Sequence, residues 1–218
     1  MLFKFTKSDI LNSSLVHAET GALGYTILTR PHYIRGDDKD SDTESEDDCR
    51  DTRRTAICNK AGSVVAEIRW KGYQPIEIVI GKERMSAKGV FGRQSGILSG
   101  NILGIPTRFD TEYFWMALPE GLTLLDHGTN QVKGQFHTNS LRVGDRLLAA
   151  PISGLGHDYL EFEAHPLVSV EELIVTFILV EVLRRSRFHP YPGDHDRPKI
   201  WRATSLANLR RRLRRTTL

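Results

Sequence analysis

The alternation of apolar and polar positions is the first signal along this chain. In Ser63–Lys71 (SVVAEIRWK), Val64, Ala66, Ile68 and Trp70 fall on one side while Glu67 and Arg69 fall on the other. A period of two over such a run predicts a half-buried β-strand. The preceding TAIC (Thr55–Cys58) and the turn residues Asn59-Lys60-Ala61-Gly62 make a hairpin with it. Ile76, Ile78 and Ile80 repeat the alternation after Pro75, and Tyr25–Thr29 is strand-like. Phe109 and Tyr113–Met116 flank an Asp110–Thr111 turn and predict a second hairpin. Further strands are expected at Leu122–Leu125, Gln131–His137, Leu141–Ala149 and Tyr159–Ala164.

One late segment breaks the pattern. Ser169 followed by Glu172 forms a capping box, in which the hydroxyl accepts the N3 amide and the carboxylate reaches back. The helix it opens, Val170–Arg185, is apolar around nearly its whole circumference from Leu173 to Val180. A surface helix carries one apolar stripe, so this one needs burial on every side. The predicted fold is therefore mainly β: an antiparallel β-barrel or strongly curved sheet wrapped around one hydrophobic helix at about 170–185. Val175, Phe177, Ile178 and Leu179 point in different directions, and all four should be inaccessible.

The order of these pieces resembles a family: domain-of-unknown-function family 6593 of mushroom-forming fungi. The matching residues are GYTILT (Gly24–Thr29), TAICNKAGSVVAEIRW (Thr55–Trp70), PIEIVIG (Pro75–Gly81), FDTEYFWM (Phe109–Met116) and SVEELIVTFILVEVLRRSR (Ser169–Arg187). The resemblance covers about residues 8–188. That family looks like a relative of the tubby C-terminal and phospholipid-scramblase-like barrels, in which strands wrap a hydrophobic C-terminal helix. The resemblance implies a fold and supplies no catalytic residues; lipid binding carried over from tubby relatives is analogy alone.

Charge divides the chain more sharply than its total suggests. A formal charge of +3 over 218 residues names no partner. Residues 37–48 (DDKDSDTESEDD), however, hold eight acids and one lysine, a net of −7, with no apolar residue. Such a block self-repels and reads as a disordered acidic loop at 36–50. Residues 183–218 carry eleven Arg or Lys against Asp194 and Asp196, a net of +9. The domain organisation expected is a single domain over 1–188, then a proline-containing linker and Arg-rich tail over 189–218. In the tail, Leu206, Leu209 and Leu213 stand at helical spacing, which describes a short basic amphipathic helix.

The candidate chemistry follows from those two blocks. Arg210, Arg211, Arg212, Arg214 and Arg215 could hold an anionic partner. That partner could be an anionic membrane surface or an acidic protein. Nucleic acid is the weaker choice, because no aromatics interleave with the basic residues for base stacking; a solvated tail without a partner is the bland alternative. Ser41, Thr43 and Ser45 each have an acid three residues on, the spacing an acidophilic kinase reads. Asp38, Asp40 and Asp42 begin like a calcium loop, but Thr43 and Cys49 stand where Gly and Glu are needed.

Catalytic motifs are lacking throughout: GxSxG, GxxxxGK[ST], HExxH and GxGxxG do not occur. His157–Asp158, His195–Asp196 and Asp126–His127 are sequence neighbours of the kind that usually lie on polar surface. Trp70, Tyr113, Phe114 and Trp115 could line a pocket, though at strand spacing such residues are more often core. Cys49 and Cys58 lack zinc spacing and match a reduced, intracellular chain. No secretory leader is evident before Asp9, and no apolar run reaches the 20 or so residues of a membrane span. The expectation is a non-enzymatic intracellular binding or regulatory module with no cofactor. An enzyme or small-ligand carrier with a pocket between helix and barrel is the alternative.

Overall fold

The computed structural model describes residues 1–31, 52–86, 102–104, 113–119, 121–126, 128–164 and 168–188. The acidic block with Ser41, Thr43 and Ser45, the Asp110–Thr111 turn, and the tail with Arg210–Arg212, Arg214 and Arg215 lie outside the described residues.

Among the described residues, thirteen strands form one antiparallel sheet. They are β1 Leu2–Phe5, β2 Ser14–His17, β3 Leu23–Pro31, β4 Thr52–Asn59, β5 Val64–Lys71, β6 Gln74–Ile80 and β7 Glu83–Ser86. The second series is β8 Ile102–Gly104, β9 Tyr113–Leu118, β10 Gly121–Asp126, β11 Val132–Val143, β12 Arg146–Ala149 and β13 His157–Phe162. The order is β7-β6-β5-β4-β3-β2-β1-β13-β11-β10-β9-β8, with β12 paired to β11 off this path. Two meanders are thus joined where β1 meets β13, Phe3 opposite Leu160. Several sequence-adjacent pairs, β4–β5, β5–β6, β6–β7, β9–β10 and β11–β12, are joined by short turns. One of these is the predicted Asn59–Gly62 turn, where Gly62 takes a φ of +77° that a side chain would resist.

The one long helix among the described residues, α1 (Val170–Phe188), fills the concave side. It packs on β5 and β6 near one end of the sheet and on β9 near the other. Nine strand spacings separate β6 from β9 in the sheet order, about 43 Å if the sheet were flat. One helix about 10–12 Å across can touch both only if the sheet curls around it. The result is a curved sheet wrapped around a helix, with no β7–β8 pairing among the described residues.

The wrapping explains the composition of α1. Every residue from Leu173 to Val180 is at most 1% exposed, the four predicted positions Val175, Phe177, Ile178 and Leu179 being at 0%. Phe177 lies against the rings of Phe5, Trp115 and Phe136, from β1, β9 and β11. The capping box forms as expected: the Glu172 amide donates to Ser169 Oγ (3.3 Å) and the Ser169 amide to Glu172 Oε2 (3.0 Å).

Four local expectations are corrected. Val64 is exposed, because it lies beyond a register shift at the start of β5 and outside the buried run Ala66–Trp70. Ile76 is also exposed: it is the extra residue of a β-bulge that sets Pro75 opposite Trp70 and turns Pro75 inward. Leu141–Ala149 is not one strand, since Gly144 (φ +62°) and Asp145 turn the chain between β11 and β12. Strands β1 and β2 were not expected as elements, although the inward Phe3 and Phe5 carry the alternation.

Candidate functional site

The helix ends in a buried ionic cluster. Glu181, Arg184 and Arg185 are spaced i, i+3 and i+4 and so share a side. Glu181 is fully buried, and its carboxylate accepts from Arg184 Nε (2.6 Å), Arg184 Nη2 (2.8 Å) and Arg185 Nε (2.7 Å). Arg184 Nη1 also donates to the carbonyls of Pro119 (2.6 Å) and Leu118 (3.2 Å), tying the helix to the end of β9. This cluster removes Arg184 and Arg185 from the basic appendage with which their charges were grouped. Nearby, burial pushes the Asp158 carboxyl above the usual carboxylate range, opposed by the Asn139 N–H (2.9 Å) and by Arg185.

Both buried tryptophans lie in the core, and each donates to a threonine. Trp70 Nε1 donates to Thr55 Oγ1 (2.9 Å), and Thr29 Oγ1 donates to the Leu11 carbonyl (2.9 Å). The Thr55–Thr29 hydroxyl contact (2.7 Å) must therefore run from Thr55 to Thr29, since each hydroxyl has one proton. Trp115 Nε1 donates to Thr176 Oγ1 (3.2 Å), which itself donates to the Leu173 carbonyl (3.0 Å). These groups are consumed in holding strand to strand and sheet to helix. At the start of β4, Arg53 lies over the rings of Trp70 (5.8 Å) and Tyr73 (5.3 Å).

The candidate histidine pairs do not assemble into sites. His157 and Asp158 are successive residues of β13 and so project to opposite faces, with His157 exposed. Asp126 Oδ1 accepts the amides of Gly128 (2.9 Å) and Thr129 (3.1 Å), a turn-forming role. Those bonds hold the Asp126 carboxyl below its ordinary range. Its neighbour His127 and the pair His195–Asp196 lie outside the described residues. Glu171 accepts from the Tyr25 hydroxyl (2.9 Å), while burial first and that bond second push the phenol far up. Among the described residues, no group of three or more His, Cys, Asp or Glu could hold a metal ion. Cys58 is a free thiol.

A basic surface was missed at the sequence level. The strand register sets Arg30 (β3), Arg54 (β4) and Arg69 (β5) side by side in one row, with Glu77 (β6) next. Residues directly opposite share a face, here the outward one, since Thr29, Thr55 and Ile68 point inward. Arg54 pairs with Glu67, Arg69 with Glu77 (2.9 Å) and Arg84 with Glu77 (3.0 Å). Among the described residues of this face, Arg30, Arg54, Arg69 and Arg84 thus stand against Glu67 and Glu77. The signal lay in the strand alternation, but the row requires a register that sequence alone does not supply.

The model of a family described as "Family of unknown function (DUF6593)" matches residues 8–186, from before β2 to the last turns of α1. The chain belongs to this family. The match covers nearly all the described elements, so the wrapped-helix sheet is the domain that the family model describes. No curated protein matches the chain. A solved structure of a protein from Arabidopsis thaliana is similar at 9% identity and a TM-score of 0.37, covering 82% of this chain and 87% of that one.

Proposed function

We propose that this member of the DUF6593 family is a non-enzymatic binding module that associates with anionic membrane surfaces. The observation carrying this reading is the outward row Arg30–Arg54–Arg69. Like charges directly opposite on neighbouring strands destabilise a sheet. Among the described residues, Glu67 and Glu77 offset that cost only in part, which supports a partner rich in negative charge. The Arg-rich tail, with Arg210, Arg211, Arg212, Arg214 and Arg215, adds to the same attraction, each basic residue near such a surface contributing about 1 kcal/mol.

The interior supports a binding role over catalysis. The tryptophan, threonine, glutamate and arginine groups around α1 are engaged with one another. A carboxylate that accepts three guanidinium N–H bonds is poorly placed to act as a general base.

Flotation with phosphatidylcholine vesicles, with and without phosphatidylserine, tests the reading over a salt series. Binding should require the anionic lipid and weaken as salt rises. Arg30→Gln with Arg69→Gln should weaken it, as should neutralising the five tail arginines. Equal binding by intact and neutralised proteins refutes the proposal. Retention on RNA or DNA without vesicle binding replaces it with a nucleic-acid role.

A further inference from the structure

Of the ten large apolar residues that stand exposed among the described residues, four fall within thirteen positions: Val143 (61%), Leu148 (52%), Ile152 (66%) and Leu155 (54%). They occupy the β11–β12 hairpin and the loop that follows it. In the hairpin, Leu141 pairs with Leu148 and Val143 with Arg146, so Val143 and Leu148 lie on one face with Arg146 beside them.

The loop is held in one shape by Asn139. Its backbone takes a φ of +44°, a left-handed conformation that asparagine tolerates better than most residues. Its Oδ1 accepts the amides of Gly154 (3.0 Å) and Gly156 (2.9 Å), and its Nδ2 donates to the Ile152 carbonyl (2.9 Å). Its own amide donates to Asp158 Oδ1 (2.9 Å), and its carbonyl accepts the Ala150 amide (2.8 Å). Gly156 packs so closely that a Cβ there would lie 2.5 Å from the Asn139 carbonyl carbon. Ile152 and Leu155 therefore project from a braced loop. Arg142 braces the hairpin in turn, donating to the carbonyls of Gly144 (3.0 Å) and Ala18.

We propose that this hairpin and loop form a rigid apolar wedge that enters the interfacial layer of an anionic bilayer. The four side chains offer roughly 400 Å² of apolar surface, the size of the largest patch on a typical monomer and of the kind that marks an interaction site. The charge beside them favours an anionic bilayer. Arg146 shares the apolar face of the hairpin, so a cation stands beside Val143 and Leu148 where headgroups would meet them, while Arg142 projects from the opposite face and is held by the Gly144 and Ala18 carbonyls and, at 4.0 Å, by Asp145. The inference rests on the membrane reading above but on different residues, so the two can fail separately.

The test is sedimentation of the full chain with vesicles of phosphatidylcholine, alone or with about one third phosphatidylserine, at low salt and at about 0.5 M salt. Three proteins besides wild type are compared. The wedge variant carries Leu148→Ser, Ile152→Ser and Leu155→Ser. The control carries Leu28→Ser, Ile76→Ser and Val132→Ser at residues exposed elsewhere, and the third lacks the charges of Arg30, Arg69 and the tail arginines. The substituted side chains are exposed or in the tail except Arg69, which is half-buried, and equal urea midpoints check that each protein folds. Wild type should keep a salt-resistant bound fraction, and the wedge variant should lose about tenfold or more of it while the control keeps it. Loss in the wedge variant with no loss in the charge variant supports the wedge and overturns the arginine reading. Equal loss in wedge variant and control, loss in the charge variant alone, or no vesicle binding by wild type each overturns the wedge. A concentration-dependent dimer abolished by the wedge substitutions, without vesicle binding, also overturns it by making the face a contact between copies of this chain.

Discussion

Replacing Glu181 by leucine isolates the ionic cluster that ends the helix. Leucine fills the carboxylate's place but leaves Arg184, 4% exposed, with its Nε and Nη2 donors unanswered. Removing one partner of a buried ion pair costs about 3–5 kcal/mol. For a chain of this size that lowers Tm by about 6–20 °C, against a total stability of about 5–15 kcal/mol. Arg184→Met leaves Glu181 with Arg185 alone and frees the Leu118 and Pro119 carbonyls, a cost of similar size. The double variant removes both buried charges, leaving the two carbonyls, at about 1–3 kcal/mol each if water cannot reach them, and the Arg185 Nε donor, which is 39% exposed and can turn to water. The single costs should therefore sum to about 6–10 kcal/mol, while the double variant loses clearly less, a coupling of about 3 kcal/mol or more. Urea unfolding with matched m-values measures all three. Additivity within about 0.5 kcal/mol, or a cost below about 1 kcal/mol for Glu181→Leu, refutes the reasoning.

Three further outcomes are expected. Asp158 holds its proton to higher pH when folded than when unfolded, because burial raises its pKa. Its contribution to stability is therefore complete below the ordinary carboxylate value of 3.8 and is lost as pH rises through the folded value. Urea midpoints of Asp158→Asn should lack that decline when compared with wild type across the same pH range, and identical profiles rule it out. Thr55→Val strands the Trp70 Nε1 donor and breaks the link to Thr29, costing about 1–3 kcal/mol in the same assay, whereas an unchanged midpoint denies the relay. Ile178→Asp places an unpaired charge on a residue at 0% exposure and should abolish cooperative folding by circular dichroism; a native-like melt contradicts the wrapped-helix core.

The parts that were readable in the sequence share a physical cause. Ala66–Trp70 and Leu173–Val180 are read correctly because burial imposes a period on one and a continuous apolar run on the other. Ile76 misleads because a bulge shifts the face of a strand without altering its composition. The β11–β12 turn escapes because Gly144-Asp145 interrupts an apolar series too briefly to break it. The site residues divide in the same manner. Glu181, Arg184 and Arg185 stand at a pairing distance visible along one helix, yet Arg184 and Arg185 looked like the start of a basic tail. The Arg30–Arg54–Arg69 row depends on three strands meeting in one register, which no local pattern encodes.

The position of α1 after all thirteen strands constrains how the protein comes into being. A ribosome adding about 5–20 residues per second delivers every strand before any of the side chains meant to fill them. Until Leu173–Leu183 emerge, Phe5, Trp115 and Phe136 lack the helix they pack around. The β1–β13 seam likewise joins residues more than 150 positions apart and must wait for residue 162. A nascent chain halted before Val170 is thus a shell without contents, exposing inward faces and strand edges to chaperones or to other chains. Folding of this domain is an event that follows synthesis of its last helix.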